Sequence, residues 1–411
     1  MPDIIDYVTM VAPRTLPERP FDACDALAFA GVCYNTPDPA ARGAGGLSLR
    51  EAAERFRFSD QQETPLTPKR RALLEAMGPS ARYGAMVLHD FMDVVVSEVP
   101  IQFSAVCCDL GDGTHAVAFR GTDNTLAGWH EDLAMSFESP VPAQDAACAY
   151  LEHAAAHMAG PLILCGHSKG GNLAAWAASH APSALRDRIR AVYTFDSPGL
   201  DEATLSSPAY AEVRPRFRAY VPQGSVVGLM MGYEADYTIL HSTALGLGQH
   251  DLFTWQLDDA GFETLSRTTL PSQLTDRTLH NVLRGCTPED RRRFVEALFA
   301  LLEATDMDTL HEMSQDKPRT VARILQAALA LTPETRRVFL QMAGTFLSSG
   351  ARGARDLLDE ARETAPAQLK RILQAMPEAD GEAMRARVQE AWRRASDYFG
   401  NHHEEENGHG E

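Results

Sequence analysis

Residues 162–176 read LILCGHSKGGNLAAW. A short apolar run, Leu162 to Cys165, leads into Gly166-His167-Ser168-Lys169-Gly170, and an apolar-rich stretch follows. A brief continuous apolar run suits a strand buried on both faces. Residues 170–181 read as a helix, so the serine falls where a strand turns sharply into a helix. In that context the G-x-S-x-G pattern has a physical reason at each position. The turn strains the serine backbone, and Gly166 and Gly170 remove the side chains that would crowd it. The Ser168 hydroxyl is lifted to the carboxyl edge of a sheet. The Lys169 amide, at the start of the helix, is then a candidate oxyanion donor. The competing reading is an ordinary Gly-rich strand–helix turn. The Lys169 side chain reads as a rim lysine, or as a contact to an acidic substrate or to the acid of a neighbouring loop.

Working outward, strands alternate with helices. Residues 22–34 (DACDALAFAGVCY) form an apolar helix pattern. The stretch 47–77 is charged and helix-prone, broken by Pro65 and Pro68. Two β-rich runs flank Gly111-Asp112-Gly113-Thr114 and read as a hairpin. Residues 143–158 are alanine-rich and helical, and 189–199, RFRAYVPQ and ADYTILHS supply further strands. This alternation predicts an open, largely parallel α/β sheet. Residues 1–20 read as an irregular lead-in. The main domain is expected over 21–284, a helical region over 285–398, and an acidic, His-containing disordered tail over 399–411. Thr287-Pro288-Glu289-Asp290 marks a helix start: a capping hydroxyl, a proline at the first position, and acids at the positive end of the dipole.

The 411 residues carry a formal net charge of -18. That charge disfavours nucleic acid and anionic membrane surfaces. The first twenty residues show neither the basic segment nor the apolar core of a signal peptide. No run approaches the roughly 18 apolar residues of a spanning helix. The seven cysteines are scattered, without a CxxC pair. These features predict a cytoplasmic protein with reduced thiols. No metal or cofactor motif is present, and three tail histidines offer at most an adventitious metal site.

The next informative stretch is HAVAFRGTDNTLAGWHEDL, residues 115–133. A strand ends at Phe119-Arg120, and Gly121-Thr122 opens a turn. A loop of this kind supplies the second oxyanion donor, which points to the Thr122 amide and its hydroxyl. Asp123 and Asp132 are candidates for positioning the loop, with Trp129 packing beneath it and Arg120 in an internal ion pair; a direct substrate contact is the other reading for Arg120, Trp129 and Asp132.

AFRGTD (118–123), GWHEDL (128–133) and GHSKGGNLA (166–174) together resemble the class 3 lipase branch of the α/β-hydrolases. RYG (82–84), QFSAV (102–106), TFDSPG (194–199), VPQGSVVGLM (221–230) and GQHDLFTW (248–255) extend the likeness to the bacterial Mbeg-like family over roughly residues 20–300. The resemblance implies an α/β-hydrolase fold, a mostly parallel sheet flanked by helices, with a serine-hydrolase site at Ser168. It names no substrate. One position departs from the pattern. Where class 3 lipases carry the triad acid, this chain has Ser225, which cannot hold an imidazolium by charge.

A serine hydroxyl needs a base, and the base needs an orienting partner. Of the downstream histidines, His250 follows a glycine-flexed loop after the last strand and is the leading base. His241 belongs to a strand, and His280 lies in the approach to the helical region. For the acid, Asp196 leads, because it follows the strand after the nucleophile and so reaches the same sheet edge. A turn-bracing role is its alternative. Asp251 and Asp236 are further options, as is a Ser168–His250 dyad with Ser225 orienting the ring.

Residues 225–247 are rich in Val, Leu, Met and Gly, which suits buried core or an adaptable acyl pocket. The expected activity is cleavage of a small-molecule carboxylic ester, with a lipid-like acyl group among the candidates. A catalytically weakened binding or scaffold protein on the same fold is the alternative, as is a thioesterase or amidase. The C-terminal helices are expected to pack on the core or on each other, with homodimerisation or partner binding as their other use.

Overall fold

The apolar runs become strands because both of their faces meet a hydrophobic layer. The computed structural model describes residues 2–35, 46–55, 66–96, 101–122, 126–135, 137–225, 227–229, 237–269 and 287–303. These fall into two units. One comprises 1–123, 127–135 and 139–269, and the other 124–126, 136–138 and 270–411.

The first unit is built on a sheet in the order β1 (Leu47–Ser48), β2 (Val87–Val96), β3 (Ile101–Asp109), β4 (His115–Phe119), β5 (Leu162–His167), β6 (Ile189–Phe195), β7 (Phe217–Pro222), β8 (Tyr237–Leu240) and β11 (Thr264–Leu265). A separate small ladder pairs β9 (Leu257–Asp258) with β10 (Gly261–Phe262). β4 to β8 run parallel. The flanks are antiparallel, so the sheet is mixed around a parallel centre. The hairpin around 111–114 forms, with Asp109 opposite His115.

Parallel neighbours in simple sequential order need crossovers of one hand, which places them all on one face. α6 (Pro142–His157) and α7 (Lys169–His180) make those crossovers. They bury Tyr150, Leu151 and Leu173 against Phe103, Val117, Leu162 and Leu164. The other face is covered by α1 (Ile4–Val11), α2 (Ala23–Val32), α3 (Leu49–Arg55) and α4 (Thr67–Met77), with α5 (Leu126–Ala134) following β4. Ile163 and Cys165 point into that second layer, beside Leu27, Phe29, Leu73 and Trp255. The alternation of Leu162–Cys165 between two cores is the period of two that a doubly covered strand requires. Cys107 and Cys108 divide between the same layers.

Two sequence expectations change here. Residues 4–11, within the lead-in read as irregular, form α1. Asp3 caps the Ile5 and Asp6 amides, and the Asp6 side chain returns to the Asp3 amide, a reciprocal box that stabilises an otherwise short helix. Pro68 starts α4 rather than breaking it, because the first helical turn needs no proline N–H. The RYG stretch anchors these helices. Arg82 and Asp25 form a wholly buried pair at 2.6 Å, and the Tyr83 hydroxyl donates to the same carboxylate at 2.5 Å. Arg82 also donates to the Arg14 and Arg19 carbonyls, so the buried charges are saturated with partners.

In the second unit the described helix is Pro288–Glu303, opened by Thr287 and Asp290 bonding reciprocally. The further helices expected up to residue 398 and the tail expected over 399–411 fall outside the described residues. No described helix is long and apolar enough to cross a membrane.

Candidate active site

Parallel strands deliver their following loops to one edge of the sheet. Thr122 after β4, Ser168 after β5, Asp196 after β6 and Ser225 after β7 therefore share the carboxyl edge.

Ser168 sits at φ 57 and ψ -135, a conformation side chains rarely adopt. Its surroundings hold it there. A Cβ on Gly166 would lie 2.1 Å from the Gly170 carbonyl carbon, and one on Gly170 would lie 2.1 Å from the Phe119 carbonyl oxygen. Only glycine allows the helix to start this close to two strands. The Ser168 amide donates to the Phe195 carbonyl at 2.9 Å, tying the turn to β6. The strain persists because the surrounding contacts over-determine it.

Asp196 is the second strained residue, at φ 43, and is 1% exposed. Its amide donates to the Tyr220 carbonyl. Its Oδ2 lies 2.6 Å from His250 Nδ1. Its Oδ1 accepts from the Ser225 hydroxyl at 2.5 Å and from the Gly228 amide at 3.0 Å. Because a carboxylate only accepts, His250 carries its proton on Nδ1 and leaves Nε2 as the basic nitrogen. Ser225 therefore contacts the acid rather than the imidazole of His250.

His250 ends the turn Gly246–His250, and Gln249 beside it accepts from the Gly224 amide through its side chain and from the Trp255 indole through its carbonyl. His167 braces the same turn. Its ring lies 4.6 Å from that of His250. His167 Nε2 donates to the His250 carbonyl at 2.8 Å, so Nδ1 accepts from the Tyr34 hydroxyl at 3.1 Å. Burial, then the nearby His250, holds His167 well below the ordinary histidine pKa, and it stays neutral.

Gly121 packs against the Ser168 turn. A Cβ there would meet the Tyr34 hydroxyl at 2.2 Å, the His167 carbonyl at 2.5 Å and Ser168 Cβ at 3.0 Å. The Thr122 hydroxyl donates to Asp132. That leaves the Thr122 amide as its free-standing candidate donor. The Lys169 amide occupies the first turn of α7, where backbone N–H groups lack intrahelical acceptors.

The Lys169 side chain is no rim lysine. It is fully buried, donating to the Gln102 carbonyl and to Glu131 Oε2, both at 2.9 Å, with Asp132 Oδ1 at 3.8 Å. It meets acids of α5, Glu131 and Asp132, so the sequence reading of a contact to a nearby acid holds for the acid but not for its place, which is a helix and not a loop. Glu131, missed in the sequence, also accepts from the Gln102 and Ala143 amides. Its only signal was its place in GWHEDL. Burial pushes the Asp132 carboxyl up to about 6, against the pull of Lys169 and the Thr122 hydroxyl. Arg120 pairs with Asp93 at 2.8 Å.

The other candidates are engaged elsewhere or undescribed. His241 meets Glu263, and Asp251 meets Lys69 at 3.0 Å. Asp123, Asp236, His280 and the Trp129 side chain lie outside the described residues, as do residues 226 and 230–236 of the Val-, Leu-, Met- and Gly-rich stretch 225–247. One donor group, His89, Asp90 and Cys107, brings its ligand atoms within 4.8 Å of one another on β2 and β3.

A family model described as Mbeg1-like matches residues 77–300. Among solved structures, the chain is similar to a triacylglycerol lipase with a serine-protease triad, at 13% identity over 54% of this chain and 80% of that chain, TM-score 0.34. It is similar to M37 lipase at 13% identity over 51% and 70%, TM-score 0.32. It is similar to Rhizomucor miehei lipase in its native propeptide complex at 12% identity over 66% and 78%, TM-score 0.31. No curated protein matches it.

Proposed function

The chain belongs to the Mbeg1-like family, and from that premise we propose that it is a serine hydrolase of the lipase and esterase type, cleaving a carboxylic ester through an acyl-enzyme. The observation that carries this reading is the 2.6 Å contact between His250 Nδ1 and the buried Asp196, at the sheet edge where Ser168 is held at φ 57. Ser168 Oγ attacks the acyl carbonyl and passes its proton to His250 Nε2. Asp196 keeps the ring in the needed tautomer and stabilises the imidazolium. The Thr122 and Lys169 amides donate to the oxyanion. His250 then protonates the leaving alcohol, and water releases the acid by the reverse steps. No cofactor enters this scheme. The six described cysteines are free, which supports a reducing, cytoplasmic setting.

A weakened binding protein was the alternative suggested by serine at position 225. The contact of His250 with Asp196, from the loop after β6, weighs against it, since a carboxylate is at hand for the imidazole. Fluorophosphonate labelling with peptide mapping tests the proposal. Labelling is expected at Ser168 in wild type and lost in Ser168→Ala and His250→Ala. A folded wild type that resists the reagent overturns it.

A further inference from the structure

The basic side chains set among these helices and around the site mostly have their own carboxylate. Arg82 has Asp25, Arg120 has Asp93, Lys169 has Glu131, and Lys69 has Asp251. Arg70 differs. It lies in the first turn of α4 and is half-buried. Among the described residues no carboxylate pairs with its guanidinium and no hydrogen bond engages it. Its partner is the face of Tyr34, 4.1 Å from guanidinium carbon to ring centre. Asp251, the acid that acts on Arg70 through space, is taken by Lys69 at 3.0 Å, so among the described residues Arg70 is left with charge nearby but no paired carboxylate.

The place is next to the nucleophile. The far end of Tyr34 bonds His167 and abuts Gly121, which packs on Ser168. One aromatic ring thus separates the guanidinium from the oxyanion turn. A half-buried guanidinium forgoes part of its hydration, and a ring face offsets only some of that cost. A planar, fixed fork of donors matches a phosphate or carboxylate bidentately.

We propose that Arg70 binds an anionic oxygen group, a phosphate or carboxylate, carried by the substrate, so that the site selects anionic acyl esters over neutral ones. This rests on the serine-hydrolase reading for where the acyl carbonyl sits, and it is tested by binding. The full chain bearing Ser168→Ala is titrated calorimetrically with octyl phosphate, octanoate and the neutral octyl glucoside. An anionic ligand is expected to bind more tightly than octyl glucoside. Arg70→Gln is expected to weaken that ligand about 10- to 100-fold and leave octyl glucoside within about twofold. The larger loss, on phosphate or on carboxylate, identifies the group. Should Arg70→Gln not fold, Arg70→Lys replaces it, with a several-fold loss on the anion alone because an ammonium cannot chelate as a fork. Anions that bind no better than octyl glucoside, or equal losses on all three ligands, overturn the proposal. The serine is absent throughout, so a failed labelling experiment and a failed binding experiment are separate outcomes.

Discussion

The Ser225 hydroxyl donates to Asp196 Oδ1 at 2.5 Å, while His250 takes the other oxygen of the same carboxylate at 2.6 Å. The loop after β7 thus supplies a hydroxyl to a carboxylate carried on the loop after β6, and the same carboxylate meets His250. The Gly228 amide completes that cradle, at a glycine where a Cβ would lie 2.6 Å from the carboxylate.

This division of labour ranks two substitutions. Asp196→Asn removes the charge and favours the wrong imidazole tautomer, and is expected to lower kcat by about 10⁴ with the fold intact. Ser225→Ala removes one hydrogen bond to a charged acceptor while Gly228 remains, and is expected to cost about tenfold. Steady-state turnover of a nitrophenyl ester by both variants measures the ranking. Equal losses would contradict it.

Lys169 lends itself to a stability experiment. Lys169→Met leaves Glu131 buried without its cation, at a cost of about 3–5 kcal/mol by urea unfolding. Adding Glu131→Gln removes the stranded charge and keeps one acceptor oxygen, for either the Gln102 or the Ala143 amide, which bond different oxygens of the carboxylate. The double variant is therefore expected to be more stable than Lys169→Met. A single variant within about 0.5 kcal/mol of wild type, as at a surface lysine, would refute the buried pair.

Asp132 gives the pH dependence its sign. Its folded pKa of about 6 lies above the ordinary 3.8, so the folded chain holds the proton more tightly than the unfolded one. Below about pH 4 the group is protonated in both states and contributes nothing. Between about pH 4 and 6 only the folded state keeps the proton, and stability falls as pH rises, by about 3 kcal/mol in all. Asp132→Asn lacks this slope. Unfolding free energies from pH 4 to 8, wild type minus variant, are expected to drop across that window; a flat difference would show that Asp132 titrates normally.

The strand–turn–helix around Ser168 was legible because its causes are local: an apolar run, glycines at fixed offsets, and a helix start. The placement of Asp196 at the same edge as Ser168 followed from its position after the next strand, while the order of the strands in the sheet was not read from the sequence. What stayed hidden depends on distant partners. Nothing near Lys169 in the chain announces Gln102 or Glu131, and nothing near His167 announces Tyr34. The helix at residues 4–11 was legible in principle, since Asp3 and Asp6 form its cap, but eight residues carry too weak a period to stand out against neighbouring prolines.

The link from Tyr34 through His167 to His250 also has a temporal side. Its hydrogen bonds join residues 133 and then 83 positions apart. A ribosome releases the chain from its N-terminus. Tyr34 waits for His167, and His167 waits for His250, so the Ser168 turn is made well before this chain of hydrogen bonds can close. A nascent chain shorter than about 250 residues, or one truncated there, would carry Ser168 and Asp196 without the histidine that Asp196 holds.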